Sequence, residues 1–416
     1  MISPLINPQR VWGRLMHLAE IGALSHGGVD RQALTAGEAD GWRLVLGWAS
    51  ELGFEPSRDA AGNLFLTLPG EDRSLPPVVA GSHMDTQPTG GKFDGAAGVL
   101  TAFEAAQTLA AAGVPRRRDL VVVAWMNEEG CRFAPGMTGS EAFSGSRTLA
   151  DIRGRTDLAG ITMGEELDRL DGEFPEVPLR PLGFPVGVHV ELHIEQGPQL
   201  EAAGKVIGIV TGMQGKRTYR VTVSGAEGHA GTLAMAERRD ALAAFAQLVV
   251  ALNAEVGGHD PAIKFTIGRV QVEPNAPSVI PAKVTFSIDM RHPDNAVLEK
   301  LDGRICALCA AAAPCAVTLE ALVNEPSNDF SPALQEAIAA SADRHGFPAM
   351  PILSFAGHDS RYLARLAPAA MIFIPCRDGI SHAESEWAEP AHVAAGAQVL
   401  SDVLAGLLAA EHMPNA

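Results

Sequence analysis

The sequence predicts an α/β chain of two domains, one inserted into the other, and three observations carry this reading. Short apolar runs such as PVVAGS (77–82) and DLVVVAW (119–125) alternate with segments of helical period, the pattern of a largely parallel sheet. The middle of the chain instead reads strand, helix, strand, strand, helix, strand, the βαββαβ order of a ferredoxin-like unit. Chemistry-bearing residues lie on both sides of that middle segment, so it interrupts a domain rather than following one. The expected boundaries are 1–212 and 329–416 for the interrupted domain and 213–328 for the insertion.

Residues 11–24 and 38–52 place apolar side chains at helical spacing. Residues 63–68 read as a strand closed by a turn bearing Pro and Gly. PVVAGS is a buried strand that delivers His83, and residues 98–112 form the next helix. DLVVVAW is a second buried strand and delivers Met126, Asn127, Glu128 and Glu129. HVELHI (189–194) is a third, and a short apolar strand over 371–375 precedes the Gly/Ser loop of His382. In the insertion, 218–224 alternates as a half-buried strand and 236–254 is a helix. Strands over 263–273 and 284–291 are joined through EPNAPSVIPAK, and a helix over 295–313 leads to a last strand at 316–323. There is no internal repeat and no low-complexity tract.

A chain of 416 residues exceeds one compact core, and about 150 residues per domain gives two or three domains. Hydrophobic residues at 47% and charged residues at 19% are those of a globular protein. A net charge of −17 argues against nucleic acid or an anionic membrane as partner, because nothing here would release counterions from phosphates. The first twenty residues lack a basic start followed by an apolar run, which argues against a signal peptide. Uninterrupted apolar runs fall short of a membrane span, with 403–410 read as a short helix end. A cytoplasmic location is the expectation. Cys306, Cys309 and Cys315 lie in KLDGRICALCAAAAPCAVTL without a second CxxC or a nearby His to complete a tetrahedral site, and are expected as small buried hydrophobes. Cys131 and Cys376 read as isolated thiols.

The chemistry begins at GSHMDT. His83 ends a strand, and Asp85 two residues on is placed to accept the second ring N–H and fix the tautomer. Eleven residues after His83, Asp94 stands in a Gly-rich turn before a helix, where by itself it would be a cap. Glu128 and Glu129 follow a buried strand. Two adjacent carboxylates there repel each other, a cost that a metal ion removes: one carboxylate then binds the ion while the other accepts a proton from water. His193 in HIEQG and His382 in GISHAESE add two imidazoles. All five groups fall on the side of the sheet where strands end, which is where ligands collect in such folds. Two His with one bridging carboxylate, plus one His and one Glu, make two metal sites. Nitrogen and oxygen donors suit zinc, and equally manganese, cobalt or nickel.

The motifs GSHMDT, GKFDG, NEEGCRFAPGMTGS, HIEQGP, GHAGT, IPAKVTFSIDMRH, AGHDS and GISHAE, in this order, resemble the hydantoinase/carbamoylase branch of the dinuclear-zinc aminoacylase and carboxypeptidase family. That branch holds N-carbamoyl-L-amino-acid hydrolases, allantoate amidohydrolases and β-ureidopropionases. The resemblance covers essentially the whole chain. It implies a zinc-aminopeptidase-like α/β/α catalytic domain with an inserted lid and dimerisation domain, and two divalent ions per subunit. His83, Asp94 and His193 would hold one ion, Asp94 would bridge, and Glu129 and His382 would hold the other. Glu128 would be the general base. Gln196 matches a residue that binds the ureido or amide group, and Gly357 and His358 a loop lining the pocket. His229 resembles a lid histidine that reaches the partner subunit's site and stabilises the oxyanion. Asn275 and Arg291 match lid residues that bind substrate, with Arg291 clamping its carboxylate through a bidentate fork.

This chain departs from the family pattern at Leu233 and Ala234 in HAGTLAM, where Thr and Pro are usual, and at Glu384, where Pro is usual. Gly215-Lys216-Arg217-Thr218 stands for the usual Gly-Gln-Arg-Arg entering the lid, which bears on Arg217 as a substrate contact. The departures fall outside the proposed metal ligands and concern the substrate. The resemblance therefore implies a homodimer whose lid, hinged near Gly212 and Asn328, completes a site that hydrolyses a small carbamoyl or ureido compound. N-Carbamoyl-L-amino acids come first; allantoate or β-ureidopropionate hydrolysis is the alternative, and N-acyl-amino-acid or dipeptide hydrolysis a more distant one.

Overall fold

Apolar alternation and local caps explain most elements of this computed structural model, which describes residues 4–414. Strands β1 (Glu55–Arg58), β2 (Leu64–Leu68), β3 (Val78–His83), β4 (Leu120–Trp125), β5 (Val188–Ile194) and β6 (Ile207–Met213) come first. β7 (Gly215–Ser224), β8 (Gly228–His229), β9 (Lys264–Thr266), β10 (Val270–Glu273), β11 (Val279–Ile280), β12 (Lys283–His292), β13 (Ala316–Glu325) and β14 (Asn328–Asp329) follow. β15 (Ala349–Ser354) and β16 (Ala369–Ile374) come last. Contacts divide the chain into two units: one holds the residues up to Thr211 and from Phe330 onward, and the other is Gly212–Asp329.

In the first unit the strand order is β1-β2-β4-β3-β5-β16-β6, with β15 also on β6. The central strands β4, β3, β5 and β16 are parallel, but β1-β2, β2-β4 and β16-β6 are antiparallel. The sheet is therefore mixed, not largely parallel as expected. Strand β1, EPSR, shows no apolar alternation and could not be read from the sequence. Even-numbered residues of β5 (Val188, Val190, Leu192, Ile194) join the main apolar core, while His189, Glu191 and His193 occupy the opposite face, as the two-residue period requires.

Helix Ala96–Ala111 packs on β3 and β5 and against the last helix, Pro390–Ala409. Glycine at 98 and 396 allows this approach: a Cβ at Gly396 would meet the Leu192 side chain at 2.5 Å, and one at Gly98 the Leu192 carbonyl at 2.3 Å. The last helix has 20 residues and is long and apolar enough to cross a membrane, contrary to the short helix end expected. Some 78% of its apolar window is buried inside the fold, and it carries buried Gln398 and Asp402, which marks a core helix. The helix expected over 11–24 is Pro8–Leu18, started by Pro8 and the Asn7 cap. Helices Thr138–Phe143, Leu149–Arg153 and Met163–Glu173, the last opened by a Thr162–Glu165 capping box, had not been anticipated.

The second unit has the antiparallel order β10-β12-β7-β13, with β9 also on β12. Its core joins Tyr219, Val221 and Val223 of β7 to Val284, Phe286, Ile288 and Met290 of β12 and to residues of helices Ala241–Leu252 and Asn295–Ala310. The strand expected over 263–273 is broken between β9 and β10, and the helix expected from 236 starts at Ala241 behind the Asp240 cap. Cys309 and Cys315 are buried as expected, whereas Cys306 is exposed.

Candidate active site

Because β3, β4, β5 and β16 run parallel, their carboxyl ends share one edge, and the expected donors meet there. His83 ends β3. Its Nδ1 lies 2.9 Å from the Asp85 carbonyl oxygen, and its Nε2 lies 3.6 Å from Asp94 Oδ1 and 3.5 Å from Glu128 Oε2. His193 repeats the pattern, with Nδ1 2.9 Å from the Ile194 carbonyl oxygen and Nε2 3.1 Å from Asp94 Oδ1. With each Nδ1 turned to a backbone carbonyl oxygen, Nε2 is the ring atom that faces the carboxylates. His382 Nε2 lies 3.3 Å from Asp94 Oδ2 and 3.4 Å from Glu129 Oε2. Donor atoms of His83, Asp94 and His193 lie within 4.8 Å of one another, as do those of Asp94, Glu129 and His382, so Asp94 belongs to both groups. Asp94 does not cap the following helix. Gly95 does, at φ 61, where a Cβ would sit 2.4 Å from the His83 ring.

Asp85 acts on the glutamate pair more than on the imidazole. Its two carboxylate oxygens accept the Glu128 and Glu129 backbone N–H groups at 3.2 Å each. The expected bond to the second ring nitrogen of His83 is made by Asp85's own carbonyl oxygen, while the carboxylate stands 3.5 Å away. Asn127, at φ 53, shapes the adjoining loop by donating from Nδ2 to the Phe133 carbonyl oxygen at 2.8 Å and to Thr138 Oγ1 at 3.0 Å. Gln196 and His382 also adopt left-handed backbone, at φ 56 and 55. Non-glycine residues persist in that region where their surroundings over-determine them, commonly at functional sites.

Gln196 Nε2 donates to Asp94 Oδ2 at 2.8 Å, which sets the expected substrate-binding amide against the shared carboxylate. His358 is buried, with its ring 4.4 Å from that of His193, and burial with His193 pulls it down to about 3, so it stays neutral. Gly357 lies beside Met137. Arg217, His229, Asn275 and Arg291 belong to the second unit. There Arg291 clasps Asp289 (Nε to Oδ1 2.8 Å, Nη2 to Oδ2 3.1 Å) and Arg217 pairs with Asp302 at 3.2 Å. His229 is exposed and its Nδ1 accepts from the Gly231 N–H at 3.0 Å; Asn275 is exposed at φ 55.

Several polar residues were missed from the sequence. Gln87 donates to Glu129 Oε2 at 2.7 Å. Glu386, buried, accepts the Phe93 and Asp94 N–H groups. Glu191, buried on β5, accepts from Ser82 Oγ and from Ser360 N and Oγ, and Asp359 accepts from Ser140. A signal existed for two of them: Glu386 stands four residues after His382, and Glu191 alternates with His189 and His193 on one strand face.

Burial raises Glu128 well above the carboxylate range, with Asp359 and Glu129 adding to the effect and His83 opposing it. Burial and Asp94 lift Glu129 to about 7. Burial also works to raise Asp94, but hydrogen bonds from His193, His382 and His83 outweigh it and hold Asp94 well below its usual range. Desolvation lowers His83, yet Glu128, Asp85 and Asp94 lift it well above its ordinary value. Imidazole and carboxylate donors around a shared carboxylate, with Glu129 pushed up by burial and by Asp94, fit a divalent cation, which favours the charged form of each carboxylate.

Fold and donor set thus define a divalent-metal-binding α/β protein. The profile of the peptidase family M20/M25/M40 matches residues 79–406, and the chain belongs to that family. It is 39% identical over 401 residues to the N-carbamoyl-L-amino-acid amidohydrolase of Rhizobium meliloti, covering 95% of each chain. It is 35% identical over 391 residues to the allantoate amidohydrolase of Bacillus subtilis, covering 93% of this chain and 94% of that one. The crystal structure of an amidase of the hydantoinase/carbamoylase family from Burkholderia multivorans is similar at a TM-score of 0.84 and 43% identity, covering 96% of this chain and 97% of that one. The resemblance seen in the motifs is borne out.

Proposed function

We propose that this chain is a metal-dependent amidohydrolase that cleaves the carbamoyl C–N bond of N-carbamoyl-L-amino acids, releasing the amino acid, carbon dioxide and ammonia. The chain-long likeness to the Rhizobium meliloti amidohydrolase carries this reading, and the placement of Glu128 beside the His83–Asp94–His193 group supports it. His83, Asp94 and His193 would hold one divalent ion, and Glu129 and His382, together with Asp94, would hold a second. Zinc suits these donors, as do manganese, cobalt and nickel. Such ions, when bound, lower the pKa of water and polarise the substrate carbonyl. Glu128 accepts the proton of the attacking water and returns it to the leaving nitrogen.

Gln196 orients the ureido group beside Asp94, and the Gly357–His358 loop shapes the pocket, His358 acting through the His193 ring. The second unit serves as a ferredoxin-like lid and dimerisation domain; its four-strand order with two helices in one core supports this. In the homodimer, His229 of the partner subunit stabilises the oxyanion. Arg291 clamps the substrate carboxylate with the fork it turns on Asp289, and Arg217 and Asn275 add contacts. Allantoate hydrolysis is the second reading, favoured by the equally chain-long likeness to an allantoate amidohydrolase. Metal-stripped protein reconstituted with zinc, manganese, cobalt or nickel decides between them. Ammonia and free amine are measured on N-carbamoyl-L-amino acids, allantoate, β-ureidopropionate, N-acyl-amino acids and dipeptides. A kcat/KM at least tenfold higher on N-carbamoyl-L-amino acids is expected; turnover confined to N-acyl or dipeptide substrates refutes the proposal.

A further inference from the structure

His83 and His193 stand on strands, but Asp94 and His382 stand on loops. Strands hold a side chain more firmly than loops do, so loop ligands need a second set of contacts to reach the precision a metal centre requires. We infer that Glu386 is the positioning residue that supplies it: its carboxylate joins the Asp94 turn to the His382 loop, so that the shared carboxylate and the last imidazole arrive together. This rests on the proposed roles of Asp94 and His382 as metal ligands.

Glu386 is only 3% exposed. Its Oε1 accepts the backbone N–H groups of Phe93 at 3.1 Å and Asp94 at 3.0 Å. Ser381 Oγ lies 2.9 Å from Glu386 Oε2 and 3.0 Å from Asp94 Oδ2, so one hydroxyl next to His382 stands between the two carboxylates. The fold makes room for this side chain, because a Cβ at Gly91 would fall 1.9 Å from Glu386 Oε1. The next residue repeats the connection in apolar form. Trp387 meets the Phe93 ring edge-on at 5.5 Å, and Trp12 stacks on Phe93 at 5.6 Å. Segments 91–94 and 381–387 are therefore tied twice, by a carboxylate and by the ring beside it. A carboxylate left in such a buried place without donors would cost several kcal/mol. Here each donor it collects belongs to, or adjoins, a proposed metal ligand.

The test uses the full-length protein stripped of metal, with zinc itself as the probe. Zinc affinity is measured by chelator competition, and the melting temperature of the stripped protein is followed in parallel. Glu386→Ala is expected to weaken zinc binding about 10- to 100-fold, the usual effect of removing a residue that orients a ligand. Glu386→Gln keeps an oxygen for the Phe93 and Asp94 amides and is expected to recover most of that loss. In the zinc-loaded enzymes, kcat is expected to fall more than KM rises. A folded Glu386→Ala that binds zinc within twofold of wild type overturns the inference, and so does a lower melting temperature at unchanged zinc affinity. If Glu386→Ala does not fold, Ser381→Ala takes its place: it removes only the hydroxyl between the carboxylates and is expected to weaken zinc several-fold, and unchanged affinity again overturns the inference. Wild-type protein that binds no zinc, manganese, cobalt or nickel overturns the proposed function as well; wild-type binding with unchanged variants overturns this inference alone.

Discussion

Replacing Asp85 by asparagine tests how the Glu128–Glu129 turn is held. Both carboxylate oxygens accept a backbone N–H at 3.2 Å. Hydrogen bonds to a charged group contribute about 1.5–3 kcal/mol each. Asparagine keeps one oxygen, now neutral, and turns its NH2 toward the other backbone N–H. One bond thereby weakens to about 1 kcal/mol and one donor loses its acceptor, at about 1–3 kcal/mol. The turn loses roughly 2–5 kcal/mol on this reckoning. Part is regained, because Asp85 is one of the charges that push Glu38 and Glu128 up. His83 keeps its orientation, since the Asp85 carbonyl oxygen that receives its Nδ1–H is unchanged. The expected result is a kcat lower by about 10²-fold, the effect of displacing a catalytic group by about 1 Å, with zinc at the His83–Asp94–His193 group retained. Steady-state kinetics on an N-carbamoyl-L-amino acid at saturating zinc, with zinc stoichiometry measured alongside, provides the assay. A folded variant whose kcat stays within threefold of wild type refutes the reasoning.

Glu128→Gln is expected to keep its metal content and lose about 10²- to 10⁴-fold in kcat, the range for one general acid–base residue; activity near wild type removes that role. Asp59, buried and accepting from Ala61 and Asn63, is pushed up to about 6 by burial. The folded state therefore binds its proton more tightly than the unfolded chain, so this group's stabilisation is complete below its ordinary value of 3.8 and lost as pH rises through about 6. Asp59→Asn lacks that dependence, and its destabilisation relative to wild type is expected to be about 2 kcal/mol greater at pH 4.5 than at pH 7 in denaturant titrations; a pH-independent difference contradicts the assignment. Arg291→Ala is expected to raise KM at least tenfold for substrates bearing a carboxylate and little for an uncharged analogue; equal effects on both remove the clamp.

How much of this was legible in the sequence depends on whether one element or several carry the feature. The buried strands β3, β4 and β5 were read within a residue or so, because each is a local apolar run ending in a polar cluster. Strand β1 was not, since EPSR carries no apolar period, although β2, with which it pairs, was read over 63–68. The donors His83, Asp94, Glu129, His193 and His382 converge as expected, because parallel strands place their ends on one edge. Glu386 and Gln87 escaped because their partners are distant in sequence or sit in a turn whose path no local pattern specifies. Asp85 was recognised, but its main partners were not: backbone amides leave no mark in a sequence.

Strand β5 shows how one element can serve two purposes. A carboxylate at Glu191 would be raised by burial, yet His189, His358 and His193 hold it well below the usual range, so it remains an anion. Donor atoms of Glu191, His193 and His358 also lie within 4.8 Å of one another, which on proximity alone would suggest a further cation site. The hydrogen bonds argue otherwise. Glu191 already receives Ser82 Oγ at 2.7 Å and Ser360 N at 3.2 Å, and His193 Nε2 faces Asp94 at 3.1 Å. Ser82 adjoins His83 and Ser360 lies two residues after His358, so the buried anion ties the strand of one proposed ligand to the loop behind another. Its charge is satisfied by protein donors, whereas Asp94 and Glu129 face the Nε2 atoms of imidazoles at the sheet edge. On the same strand, the inner carboxylate builds the frame and the outer imidazole faces the other proposed metal ligands.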